Sequence, residues 1–477
     1  MSAGTESKRR PLRTDAIGSM AASPSKDGPS AHSGYNPTVS PKDPTRTASE
    51  TSRTDLHVVA PVDADPVAHL IAALTLQTRF PRITLDVLAP VPLSGVCTRL
   101  ARLLNSRGID TSLQLIKPKD FLRHDLPLVA CGPRCVAEAH AVDVSGATSE
   151  TALRVHEAAA RAWPGGFLVT SYHPSRNSVR IRSNNRPGRA DELLLRADIG
   201  DPRDVCKGEV RPEEMLELFD VRVVPEDPYG LSDPGRPHSD QRLIDAATGI
   251  LTAFNEDKAA YREFRRALAA AHRTSYADTE IAASLFPAAM QATVQCLASL
   301  RLATRNATGH IVLDGPGDRG AGFFLAGGWL EIVVAHVLAR SLPDGRTIVR
   351  NAGTAWGGGD VSLTTYAETD ATFVYDNHLF VVSCKNEFNE ERLYRHLDRL
   401  RALVAEFGET HVRPVLLSTE ALSDRAAMRC RAYEVAALTG PELLQALAAD
   451  MAARQPHKLL GWLTQSAVGT PGPGLAG

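Results

Sequence analysis

No apolar run in this chain reaches the length of a membrane span, and its first residues are polar where a secretory leader would carry a hydrophobic stretch. We therefore expect a cytoplasmic protein. Cysteine is scarce and scattered. Of the seven, Cys97, Cys131, Cys135, Cys206, Cys296, Cys384 and Cys430, only Cys131 and Cys135 stand close together, and a lone Cys-x3-Cys reads as two small residues near a turn before it reads as zinc. A charge excess of either sign is missing too: 53 Lys and Arg face 55 Asp and Glu, a net charge of −2. No global positive field draws in nucleic acid, so such a substrate would have to be met by local basic clusters.

What is present is enough apolar side chain, 43% of 477 residues, for two filled cores with loose ends. Residues 1–54 are rich in Ser, Thr, Pro, Lys and Arg and cannot repay the entropy of ordering, so they are expected as a disordered tail with one basic patch, Lys8, Arg9, Arg10 and Arg13. From Leu56 short apolar runs alternate with helical spacing. Strands are predicted over Leu56–Val62, Ile83–Leu88, Thr111–Ile116 and Ala139–Val144, and helices over Pro66–Thr78, Pro92–Ser106 and Ser149–Trp163. Phe167–Tyr172 and Ser178–Arg182 read as a hairpin. This β–α alternation makes residues 55–200 a Rossmann-like domain in an α/β protein.

Residues 201–320 read as a linker rich in Pro, Gly and Asp, then a helical connector of Asp240–Phe254, Asp257–His272 and Phe286–Ala303. Residues 321–455 read as a second domain. Its elements are a helix at Phe323–Ser341, strands at Val361–Tyr375 and Leu379–Cys384 around an Asp376-Asn377 turn, and a helix at Arg392–Phe407. A strand at Val412–Ser418 and helices at Ser423–Arg431 and Pro441–Ala453 follow. Residues 456–477 are expected as a flexible C-terminal tail.

A metal-dependent phosphodiesterase needs carboxylates around a divalent ion, which polarises phosphate and activates water, and a lysine that steadies developing charge. The second domain carries candidates for each. Asp370 enters the first strand of the hairpin and Lys385 leaves the second, and strand alternation turns Ser383 to the same side as Lys385. Three runs together, Gly-Gly-Trp-Leu-Glu at Gly327–Glu331, Glu-Thr-Asp at Glu368–Asp370, and Leu379–Asn386, resemble the nuclease domain of CRISPR-associated CARF effectors of the PD-(D/E)xK, restriction-endonuclease-like class. The resemblance implies that Glu331 is the helix carboxylate, Asp370 the central metal ligand, Glu368 an auxiliary carboxylate and Lys385 the catalytic lysine, with Mn2+ or Mg2+ as cofactor. Ser383 stands where that family has a glutamate. A neutral hydroxyl is a weak ligand for a hard cation, which leaves two accounts of the site: three acids hold the ion without the fourth, or the site is a structural remnant.

In the first domain, Val142–Thr148 is a strand-to-turn junction of the kind that receives ligands at the carboxyl edge of a parallel sheet. It resembles the Thr-Gly-Gly-Thr-Lys turn of CARF domains, which bind cyclic oligoadenylates. The likeness implies ligand contacts from Ser145, Gly146, Ala147 and Thr148, with Ala147 in place of the second glycine and Ser149 in place of the lysine. The loop Pro61–Asp65 would lie beside this turn. The segment Tyr172–Arg189, with His173, Arg176, Arg180, Arg182, Arg186 and Arg189, would face phosphates or stand as a solvated edge hairpin.

The resemblance thus implies a Rossmann-like CARF sensor domain followed by a restriction-endonuclease-like domain. Its function would be a nuclease activated by cyclic oligoadenylate, taking cyclic tetra-adenylate as messenger and DNA or RNA as substrate, and working as a homodimer because a two-fold ligand suits a two-fold interface. A catalytically silent sensor or nucleic-acid-binding protein is the alternative from a different class. A nuclease indifferent to any messenger is the third.

Overall fold

The computed structural model describes residues 55–117, 139–184, 193–196, 210–225, 239–274, 279–314, 320–343, 348–356, 367–386, 390–407 and 410–466. The expected N-terminal tail, Cys131, Cys135, Cys206, Arg186 and Arg189 lie outside them.

The first sheet has seven strands in the order β3-β2-β1-β4-β5-β6-β7. They are β1 (Leu56–Pro61), β2 (Ile83–Pro90), β3 (Asp110–Ile116), β4 (Ala139–Asp143), β5 (Leu168–His173), β6 (Ser178–Ser183) and β7 (Leu193–Arg196). Pairing is parallel from β3 to β5 and antiparallel through β6 and β7. The basic hairpin is therefore not an edge: β7 covers β6. Helix α1 (Pro66–Arg79) starts at Asp65, whose carboxylate accepts from the Val67 and Ala68 amides, and Pro66 presets its first turn. Its first eleven residues are all buried, so it is a core helix and not an amphipathic one. Helix α2 (Ser94–Ser106) lies beside α1, and α3 (Ser149–Ala162) packs Val155, Ala158 and Ala159 on the opposite face, capped by Thr148.

The second sheet has six strands, ordered β16-β15-β14-β13-β12-β8. These are β8 (Val221–Pro225), β12 (Ile348–Trp356), β13 (Ala367–Tyr375), β14 (His378–Lys385), β15 (Val412–Ser418) and β16 (Ala436–Thr439). Asp376 and Asn377, both at positive φ (47° and 57°), make the two-residue turn between β13 and β14. Residues 361–366 of the expected first hairpin strand lie outside the described part.

The expected connector, residues 201–320, is corrected in two ways. After the short α4 (Pro212–Leu218), β8 joins the second sheet, and β9 (Thr279–Ala282), β10 (Ala303–Arg305) and β11 (His310–Leu313) form a small sheet of their own. Of the three helices expected there, α5 (Gln241–Glu256) and α6 (Lys258–Thr274) form as expected, and α7 (Gln291–Ser299) is the α-helical part of Phe286–Ala303, which is therefore not one helix. Pro287 interrupts it at one end and Arg301, at φ 61°, at the other.

Helix α8 runs over Gly320–Ser341, with a wider turn at Phe324–Gly328. By length and apolar composition it would pass for a membrane span, which corrects the expectation that no segment reaches that length, yet most of it is buried. Trp329, Leu330, Ile332, Val333, Val334, Val337 and Leu338 join α5 and the inner face of the second sheet in one core. Helices α9 (Glu390–Phe407), α10 (Asp424–Ala432) and α11 (Gly440–Ala452) complete the flanks. The expected flexible tail at residues 456–477 is corrected over its first part, because α12 (Lys458–Ser466) buries Leu459, Leu460 and Leu463, and residues 467–477 lie outside the described part. The Asp450 carboxylate, itself buried, accepts from the amides of His457, Lys458 and Leu459 and so caps that helix from a distance in sequence.

One apolar core passes between the sheets. Residues of α1, α2 and the first sheet are continuous with Leu379, Val381, Val412 and Leu416 of the second and with Leu393, Leu397, Leu400 and Phe407 of α9. The two sheets are therefore packed as one body among the described residues.

Candidate functional site

The hairpin brings Asp370 against the end of β14. Its Oδ2 lies 3.3 Å from Ser383 Oγ and 3.3 Å from Lys385 Nζ, and it also accepts from the Cys384 amide. Pairing of Ala371 with Val382 sets this contact, since the antiparallel register carries Asp370 opposite Ser383, and alternation sends Cys384 the other way into the core. Asp370, Ser383 and Glu331 are 5, 7 and 8% exposed, so the charges lie in a recess and not on a solvated face. Burial draws the Lys385 ammonium down, but the Asp370 and Glu331 carboxylates outweigh it and hold Lys385 above the usual lysine range. The structure thus brings Glu331, Asp370, Ser383 and Lys385 together. Glu368 sits two residues before Asp370 on β13, and its side chain lies outside the described part.

Two carboxylates beside an ammonium and a hydroxyl suit a hard divalent cation that keeps waters and meets substrate oxygens, because Mg2+ is held by one or two carboxylates in such sites. They do not amount to a closed cage: among the described residues no group of three or more His, Cys, Asp and Glu converges on one point.

Four supporting residues were not expected as part of the site, although Trp329 and Asn386 lie in the runs that carry the resemblance. Asn386, next to Lys385, donates to Tyr261 Oη and to the Ala326 carbonyl, both at 3.0 Å, and Trp329 Nε1 donates to the same Tyr261 oxygen at 3.0 Å. Tyr261, on α6, therefore ties the Lys385 strand end to the helix that carries Glu331. His396 of α9 also faces the recess. Burial first, and the Lys385 ammonium second, push its pKa down to about 4, so it is neutral at pH 7.

His378, at the start of β14, is likewise pushed down to about 4 by burial, then by Arg413 and His411. Both imidazoles take up a proton in the unfolded chain below about 6.5 and refuse it in the folded one until about 4. Stability is therefore expected to fall as pH drops from 6.5 towards 4, by on the order of 3 kcal/mol for His378. Denaturant titrations between pH 4.5 and 7 check this: His378→Gln should give a flatter dependence than wild type, and an equal slope would disprove the assignment.

The second candidate site lies at the carboxyl ends of β1 and β4, where the strand order of the first sheet reverses direction, the position at which open α/β sheets receive ligands. The turn Ser145–Thr148 is held from below. Ser145 Oγ donates to Asp143 and accepts from the Tyr172 amide at 2.8 Å, and Asp143 Oδ2 is 2.6 Å from His69 Nδ1. The Thr148 amide and hydroxyl both donate to Asp63, at 2.8 and 2.7 Å. The loop Pro61–Asp65 does lie beside the turn, because the Asp65 amide donates to the Gly146 carbonyl at 2.9 Å. Gly146 is needed there: a Cβ on it would stand 1.9 Å from the Asp65 carbonyl oxygen.

Two short chains of hydrogen bonds join the elements that carry the two sites. Asp65 Oδ2 is 2.8 Å from His411 Nε2, and the His411 carbonyl accepts from Leu379 at 2.7 Å, on the strand that ends at Lys385. Burial raises the Asp65 carboxyl, but His411 and the α1 amides outweigh it and hold it below its usual range. In parallel, Tyr172 Oη donates to Asn177 Oδ1, which also accepts from Asn377 Nδ2 in the β13–β14 turn, each at 3.0 Å. Tyr172 stacks on His411 with ring centroids 5.8 Å apart.

No family model and no curated protein sequence matches the chain. Its fold is shared with solved structures. Protein VC1899 from Vibrio cholerae aligns with a TM-score of 0.61 at 17% identity, covering 86% of this chain and 98% of that one. Can2 from Sulfobacillus thermosulfidooxidans, solved in complex with cyclic tetra-adenylate, aligns with a TM-score of 0.57 at 13% identity, covering 85% of this chain and 97% of that one.

Proposed function

We propose that this chain is a metal-dependent nuclease of type III CRISPR defence, activated by a cyclic oligoadenylate, with β1–β7 as a CARF-type sensor and β12–β16 as a restriction-endonuclease-like domain. One observation carries the reading: the buried Asp370–Lys385 pair beside Glu331, in a chain whose fold is that of a protein bound to cyclic tetra-adenylate. A Mg2+ or Mn2+ ion held by Glu331, Asp370 and Glu368 would polarise the scissile phosphate and lower the pKa of its attacking water. Lys385 stays charged and supplies a donor to the phosphate oxygen on which charge develops. Ser383 and the Cys384 amide orient Asp370.

On the sensor side, the Ser145–Thr148 turn at the start of α3 offers amides to ligand phosphates, which compete there with Asp63. A ligand that displaces this turn pulls on Asp65, and through His411 on the register of β14, which is how binding would bias the nuclease between two arrangements. Two copies sharing one two-fold messenger complete the proposal. The alternative, a silent sensor, draws on Ser383, a hydroxyl where a charged oxygen would bind metal more firmly.

Incubation of single-stranded and supercoiled nucleic acid with Mn2+ or Mg2+, with and without cyclic tetra-adenylate, separates the readings. Cutting that needs both metal and messenger is the expected result. Cutting that ignores the messenger leaves a plain nuclease, and messenger binding without cutting under any condition leaves the silent sensor.

A further inference from the structure

The exposed side of α6 adjoins the recess's surroundings, and the nuclease proposal does not use it. Tyr261, Phe264 and Leu268 face the core, at spacings of three and four residues. Lys258, Arg262, Arg265 and Arg266 fall on an adjacent stripe by the same helical geometry, and the single acid of α6, Glu263, borders it three residues before Arg266. This concentration of positive charge matters in a chain whose net charge is −2.

Its position matters more. Arg265 Nη1 donates to the Leu325 carbonyl at 3.1 Å, in the wide turn just before Glu331, and Tyr261 beneath holds Asn386 and Trp329. Lys258 and Arg262 converge on one carboxylate, Glu420, at 3.2 and 2.7 Å. Glu420 directly follows Thr419, whose amide donates to the Lys385 carbonyl at 3.0 Å. Two half-exposed cations therefore clasp an anion one residue from a direct contact with the lysine of the recess. An anionic oxygen held between a lysine and an arginine has the charge and size of a phosphate contact.

We infer that the Lys258, Arg262 and Arg266 stripe of α6 is the track along which the phosphodiester backbone of a nucleic-acid strand reaches the Asp370–Lys385 recess, with Glu420 occupying one phosphate position until the strand displaces it. The inference rests on the nuclease reading for its direction but not for the binding itself. Contacts of this kind go to the backbone and carry no base preference, so they are read out as salt dependence.

The test is fluorescence anisotropy of the full chain with a fluorescein-labelled mixed-sequence oligonucleotide, as DNA and as RNA, in EDTA so that nothing is cut. Affinity is followed against salt concentration. An Arg262→Ala, Arg266→Ala double variant should bind roughly tenfold more weakly, with a log–log salt slope shallower by about 2. An Arg79→Ala, Arg102→Ala double variant, an equal change of charge on α1 and α2, serves as the control and should match wild type. Glu420→Gln should move the other way, binding about threefold more tightly with a steeper slope, because both cations are released to phosphate. A misfolded variant cannot produce that gain. A double variant with the wild-type slope overturns the proposal, as does a Glu420→Gln variant that binds no more tightly than wild type. Since no metal is present, failure of the nuclease reading would appear separately: the oligonucleotide would bind as described and remain uncut when Mn2+ and cyclic tetra-adenylate are both added.

Discussion

Asp370→Asn is expected to lower cleavage by about a thousandfold or more, ~4 kcal/mol of transition-state stabilisation, while leaving the fold in place. The reason is the number of groups that meet at one atom. Asp370 Oδ2 receives the Ser383 hydroxyl, the Cys384 amide and the Lys385 ammonium, so its charge organises the recess as well as offering itself to a cation. An amide of the same shape removes that charge but not the volume. Lys385 retains the Glu331 carboxylate as a partner, which limits the cost of leaving its ammonium buried. Ser383→Glu runs the experiment in reverse. A second carboxylate beside Asp370 repels it without metal and binds with it when metal arrives, so the variant should melt lower in EDTA and reach half-maximal cutting at about tenfold less Mn2+. Rates of plasmid or oligonucleotide cleavage against metal concentration check both variants. An Asp370→Asn protein that cuts at the wild-type rate would remove the recess from the mechanism.

Gly146→Ala should abolish the response to cyclic tetra-adenylate. The added methyl would sit 1.9 Å from the Asp65 carbonyl oxygen, 2.8 Å from its carbon and 2.8 Å from His69 Cδ2. The first two are backbone and cannot swing aside, so the turn or the Pro61–Asp65 loop has to move, at a cost of about 1–3 kcal/mol. Either movement breaks the Asp65 amide bond to the Gly146 carbonyl and disturbs the carboxylate that meets His411. The consequence is twofold: weaker messenger binding by calorimetry and loss of messenger-dependent cutting, with a melting temperature several degrees lower. Activation equal to wild type would mean that ligand binding does not pass through this turn.

What could be read from the chain without its folded form is what nearby residues decide. The β13–β14 hairpin is local: a two-residue Asp376-Asn377 turn and period-two alternation are enough to bring Asp370 level with the end of the next strand and to put Ser383 on the side of Lys385. The amphipathic spacing of Leu393, Leu397, Leu400 and Phe407 belongs to the same class. Segments whose conformation was settled by distant partners were misread. Val221–Pro225 is a strand because β12 lies alongside it, and Lys458–Ser466 is a helix on the core because Asp450 and its apolar neighbours receive it.

The same division runs through function. That Glu331, Asp370 and Lys385 would share one recess was expected from their order along the chain, whereas the contacts of Tyr261, Asn386 and His396 around Lys385 were not. Nor could the connection between the two sites, for Asp65 and His411 are 346 residues apart and Asn177 and Asn377 are 200. A side chain's chemistry and its short-range geometry are properties of the sequence alone. Which remote groups share a buried recess, and so which charges and hydrogen bonds each one feels, is decided only when burial of the common core brings the two sheets together.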